Sequence, residues 1–157
     1  MGAAANARDG AAEGIRPVGV FYFEPGVAAY FASDARLSLG GETNLRLAVS
    51  AAEEALELLG AMPEGEHAEQ TAAAQLDLVA AQLALHDLDG VGVHAQAVLQ
   101  LPSENRTVPI IGRMAKIDQA LAGAAFKDVT LASDLREQIA LFSAYPATRE
   151  LPQLPTS

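Results

Sequence analysis

His67, His86 and His94 are the only imidazoles in the chain, and the last two stand on either side of Asp87 and Asp89. A zinc or iron centre needs three or more convergent nitrogen, oxygen or sulfur ligands. These residues straddle a turn, so they read as solvent-facing turn residues and not as a metal site. Asp87-Leu88-Asp89-Gly90 shares its opening with a calcium loop. It lacks the third acidic position and the closing glutamate, and reads as a helix-turn capping sequence. Glu53, Glu54 and Glu57 could supply paired carboxylates for acid–base work. Helical periodicity places them on a polar face instead. Asn105-Arg106-Thr107 fits a glycosylation acceptor but has no secretion signal behind it, and Thr107 serves better as a helix cap. There is no G-x-S-x-G, no G-x-G-x-x-G and no phosphate-loop lysine; Gly90-Val91-Gly92 lacks a third glycine and a preceding strand. No catalytic, cofactor-binding or metal-binding residue is assigned, and the chain does not read as an enzyme. Phe21, Tyr22, Phe23, Tyr30 and Phe31 are the one aromatic cluster. They either cover a first helical hairpin or wall a ligand groove, where aromatics give contact area at low entropic cost.

The elements that must position these residues are helices. Half of the 157 residues are hydrophobic but only 5% are aromatic, because Ala and Leu dominate. Those two have the best helix propensity among apolar residues. A chain of this length makes one domain and needs no disulfide or metal to hold its core. It has no cysteine, which excludes disulfides and thiolate chemistry and suits a reducing cytoplasm. No signal peptide or membrane span is read in it. The net charge of −10 and pI near 4.6 argue against direct nucleic-acid binding, which draws its affinity from Lys and Arg. Acids crowd the stretch from Glu42 to Glu104, where Arg46 is the lone Lys or Arg. This reads as a solvated surface, or as a face for a basic partner.

The pattern predicts an all-α chain of about six antiparallel helices. A flexible or extended segment covers residues 1–24, a helical domain 25–145 and a Pro-rich tail 146–157. The β-branched and aromatic run Val18–Phe23 is expected to pack on the first helix. That helix covers 25–39, with Pro25 in its first turn, Val27, Tyr30 or Phe31, Ala35 and Leu39 inward, and Gly40-Gly41 as its stop. The second covers 43–59 with Leu45, Ala48, Val49, Ala52, Ala55, Leu56 and Leu59 as its stripe. The third spans about 66–85 on Ala72, Leu76, Val79, Ala80 and Leu83. The fourth runs from Leu88 or Gly90 to Leu99. The fifth starts at Ser103 or Thr107, capped by either side chain, and ends at Ala122, with Ile110 or Ile111, Met114, Ile117 and Leu121 inward. The sixth covers 130–143 on Leu131, Leu135, Ile139 and Phe142. Two hairpin turns, at Gly40 and His86, are spaced more widely than a regular tetratricopeptide repeat. His86 stands where the first unit has glycine.

Three segments follow one another: FASDARLSLGGETNLRLAVSAAEEALELL (31–59), DLVAAQLALHDLDGVGVHAQAVLQLPSENRT (77–107), and IIGRMAKIDQAL (110–121) with SDLREQIALF (133–142). Together they resemble the C-terminal tetratricopeptide-like region of actinomycete helix-turn-helix regulators of the xenobiotic-response-element type. Those regulators carry an N-terminal DNA-binding domain, for which the residues ahead of Pro25 leave no room. The resemblance therefore implies the sensory or interaction half alone, in transcription regulation, with degenerate helical hairpins and no direct DNA binding. In such hairpins the first helix of each pair lines the concave face. That register implies partner-binding positions at Tyr30, Asp34, Leu37, Asn44, Leu83 and Asp87. The partners expected are a protein, a peptide or a second copy forming a homodimer, with no membrane. The alternative is a small-molecule sensor or helical-bundle enzyme, with Tyr30, Phe31 and Met114 lining an apolar pocket between helices.

Overall fold

A computed structural model describes residues 24–147. The expectations for the N-terminal segment, including Val18–Phe23, and for nearly all of the Pro-rich tail lie outside these residues. Within them the chain is all-helical: α1 (Pro25–Leu39), α2 (Glu42–Gly60), α3 (Ala68–Ala84), α4 (Val91–Leu99), α5 (Val108–Leu121) and α6 (Thr130–Ala144), with short 3-10 turns at Ser103–Asn105 and Ala124–Phe126. No strand occurs among the described residues.

The turns explain the boundaries. Pro25 and Pro109 stand in the first turns of α1 and α5, where a missing N–H costs nothing. Gly40 (φ 70°) and Gly41 (φ 83°) adopt backbone conformations that a Cβ resists, which folds α1 back on α2. At the end of α3 the His86 N–H donates to the Leu83 carbonyl and the Asp87 N–H to that of Gln82. This is the paired closure of a Schellman motif, with His86 left-handed at φ 55° in the place usually taken by glycine. The second hairpin turn therefore forms without its glycine. Thr107 does not cap α5 with its side chain: its hydroxyl donates to Glu69 Oε1 at 3.1 Å, tying the start of α5 to the start of α3.

Three hairpins, α1–α2, α3–α4 and α5–α6, stack side by side. The first helices form one layer in which α3 packs on both α1 and α5; in the second layer α4 packs on α6. The larger core fills the space among α3, α4, α5 and α6, from Leu76, Val79 and Leu83 to Met114, Leu135 and Phe142. A smaller cluster of Val27, Ala29, Ala55, Leu59 and Ala74 joins α1 and α2 to α3. Helix α3 belongs to both and is buried on most of its circumference.

The stripes read for α2, α3, α5 and α6 face inward. The face read for α1 is correct at Val27, which is buried, and at Tyr30, which packs half-buried against both apolar clusters, and needs correction elsewhere. Leu39 is 69% exposed, Phe31 47% exposed and Ala35 exposed; Gly26, Ala29 and Ser33 are buried beside Val27 instead. Helix α1 lies close against α2 and α3, so its contact face is made of small residues. A Cβ on Gly26 would stand 2.9 Å from Leu59 Cγ and Cδ2.

Candidate ligand groove on the first-helix layer

Asp77 is an acid in an apolar run, Leu76-Asp77-Leu78-Val79, and α3 buries it to 1% exposure. A carboxylate taken that far from water needs partners. Ser33 of α1 supplies one: its hydroxyl proton is shared between the Tyr30 carbonyl (2.7 Å) and Asp77 Oδ2 (3.1 Å). Arg113 of α5 supplies the other, pairing Nη1 with Asp77 Oδ1. The same guanidinium donates from Nη2 to the Tyr30 hydroxyl at 2.7 Å and meets Asp34 Oδ1 at 3.2 Å. Its Cζ lies 5.5 Å from the Tyr30 ring centroid. One arginine thus joins all three first helices, through two carboxylates and a phenol.

The environment shifts Asp77, Tyr30 and Arg113. Burial pushes the Asp77 carboxyl up to about 6, against the pull of Arg113. Burial also raises the Tyr30 phenol, again opposed by Arg113. Burial works to lower Arg113, but Asp77, Tyr30 and Asp34 outweigh it and hold the guanidinium above its ordinary value.

Asp34, Asp77 and Arg113 of this cluster line a groove of about 610 Å3 across the layer. Asp34, Leu37 and Ser38 come from α1, Leu76, Asp77 and Ala80 from α3, and Pro109, Gly112, Arg113 and Lys116 from α5. Its lining combines polar and apolar groups. It can offer a ligand a cation at Lys116, the half-exposed Asp34 carboxylate and an apolar wall at Leu37.

Of the six positions read from the sequence, Asp34 and Leu37 line the groove, while Tyr30 lies outside its lining and bonds to Arg113 through its hydroxyl. Asn44 does not join them. Its Nδ2 donates to the Gly40 carbonyl (2.9 Å) and its Oδ1 accepts from Arg36 (3.1 Å), so it closes the first hairpin turn. Leu83 is 2% exposed in the larger core, because it continues the Ala72, Leu76, Val79 stripe. Asp87 is exposed beyond the end of α3, where its Oδ1 accepts the Asp89 N–H at 3.1 Å. Asp77 and Arg113, which build the groove, carry no local signal of their partnership; the acid in an apolar stripe was the available clue.

The other candidates occupy different surroundings. His67 begins α3 at φ 60°, and its carbonyl accepts both the N–H and the hydroxyl of Thr71. His94 Nδ1–H donates to Gln75 Oε1 at 2.8 Å, and burial lowers its pKa. Among the described residues no group of three His, Asp or Glu could hold a metal ion. Glu53, Glu54 and Glu57 are exposed. Met114 is fully buried in the larger core, Phe31 is half exposed and Tyr30 is engaged by Arg113, so the three differ too much to wall one pocket. No helix among the described residues is long and apolar enough to cross a membrane.

The second layer is not closed like the first. Helices α2 and α4 have no substantial packing on one another. Between them lies an apolar cleft of about 480 Å3, lined by Leu59, Met62, Ala72, Ala97, Val98 and Leu101 among others. No family model, no curated protein and no solved structure matches the chain, so the groove and the cleft rest on their own geometry.

Proposed function

We propose that the chain is a helical-hairpin interaction module that binds a protein or peptide segment along the groove of α1, α3 and α5. One observation carries this reading. The groove is built by three successive first helices and lined by both polar and apolar side chains, the layout in which stacked hairpins present a ligand surface. It fits the resemblance to the tetratricopeptide-like region of helix-turn-helix regulators, and a role in transcription regulation without DNA contact follows from that resemblance. A partner with both a basic and an apolar side chain would meet Asp34 and Leu37 together. A second copy of the chain is one such partner; a sedimentation mass of one chain at high concentration would remove it.

The test is selection of peptides from a random display library on the folded chain. The expected result is that selected peptides lose at least about tenfold in affinity, roughly 1.4 kcal/mol, on Leu37→Glu, a half-buried wall residue outside the core. Peptides that bind Leu37→Glu as tightly as the parent would sink the proposal.

A further inference from the structure

We propose that the apolar cleft between α2, α3 and α4 is the docking site of this chain's own Val18–Phe23 segment. Three observations lead there. The first is the gap itself: it leaves Leu59, Met62, Ala72, Val98 and Leu101 around an open apolar space, while every first helix is covered by a neighbour. The second is where the chain arrives. Residue 24 caps α1, and two residues later Gly26 lies against the side chain and backbone of Leu59, which lines the cleft. Six residues of chain reach at most about 20 Å, so Val18–Phe23 is tethered within range of the cleft. The third is complementarity. Val18, Val20, Phe21, Tyr22 and Phe23 are the most aromatic run in the sequence, and Arg16 precedes them by one proline. The cleft is apolar within, and the exposed acids Glu64 and Glu66 stand on its lining. Buried aromatics would supply the contact area, and Arg16 would meet the acidic rim. The C-terminal tail, with Leu151 and Leu154 and no aromatic, is a poorer match. The inference is independent of the groove on the opposite layer.

The absence of cysteine makes the experiment direct. A spin label is placed on the full chain at Ala97→Cys, an exposed position lining the cleft, or at Lys116→Cys in the groove. Paramagnetic broadening of the backbone amides is then read by NMR. The Ala97 label is expected to remove more than half of the signal intensity of residues 18–23. The Lys116 label should leave them intact, and Phe21→Asp with Phe23→Asp should abolish the effect. The same double substitution should raise the fluorescence of an apolar dye several-fold while leaving the helical signal unchanged. Equal broadening from both labels, or none from either, would overturn the proposal. Broadening of residues 151–154 in place of 18–23 would assign the cleft to the tail. Persistence of the effect when labelled and isotope-enriched chains are mixed would assign it to a second copy.

Discussion

Arg113 is 24% exposed, yet it is the sole cation facing the buried Asp77 carboxylate among the described residues. Removing it by Arg113→Met strands that carboxylate with Ser33 as its remaining partner. Breaking a buried pair from one side costs about 3 kcal/mol, and the partial exposure of the guanidinium favours the lower end of the known range. Replacing both members, Asp77→Leu with Arg113→Met, removes the unpaired charge as well as the pair. The double variant is expected to recover most of that loss, and urea titrations of the three proteins decide it. A double variant as weak as Arg113→Met would show that the cost was not the stranded charge. The same acid gives a pH dependence whose sign is unusual for an aspartate. Burial lifts its folded-state value from 3.8 to about 6, so the native chain keeps a proton that the unfolded chain has released. Stability from this site is full below pH 3.8 and is lost as pH rises through about 6. NMR of the side-chain carboxyl carbons should show Asp77 titrating near 6, well above its ordinary value of 3.8. A midpoint in the ordinary range would refute the burial account.

Two turns and one helix contact set the elements. Gly26→Ala gains at most about 1 kcal/mol of helix propensity, since Gly26 stands in the first turn of α1, and drives a methyl into Leu59. Overpacking costs about 1–3 kcal/mol, and the nearby Leu59 backbone nitrogen, 3.1 Å away, limits relaxation. A net loss of about 1 kcal/mol is expected from the denaturation midpoint, and a more stable variant would contradict it. His86 poses the reverse balance. Glycine would relieve about 1 kcal/mol of left-handed strain, but the His86 ring stands edge-on to Phe126 at 5.8 Å, a contact of similar worth. His86→Gly should therefore be near neutral, while His86→Ala, which keeps the strain and loses the ring, should cost about 1 kcal/mol. Much of this level was legible in the sequence. The bounds of α1 follow from Pro25 and Gly40, and the stripes of α2, α5 and α6 repeat at three and four. The inward face of α1 was legible at Val27 and Tyr30 but not at Ser33, which is buried for the sake of Asp77, forty-four positions away. The groove was half legible for the same reason: α1 positions follow from register, but the pairing of Asp77 with Arg113 arises only when three helices meet.

At the scale of the whole molecule, the two apolar clusters are unequal. Apart from the polar cluster around Arg113, the α1–α2 hairpin is held to α3 by a small apolar cluster of Val27, Ala29, Ala55, Leu59 and Ala74, whereas α3 to α6 share a larger core rich in Leu, Ile, Val and Phe. Local opening follows the weaker attachment. Amide hydrogen exchange should therefore proceed faster across α1 and α2 than across the buried parts of α3 and α5. Uniform protection over the six helices would show instead that the hairpin and the larger core open as one unit.

Helix α3 serves both cores, the groove and the cleft at once, and few of its faces are free. A side chain there answers to several neighbours together, while one on α2 or α6 answers to one or two. In a saturation library selected for folded chain, α3 should accept the narrowest range of residues. The outward positions of α1 and α2 should drift most freely, so new specificities could be written onto this scaffold at its first hairpin without touching its centre.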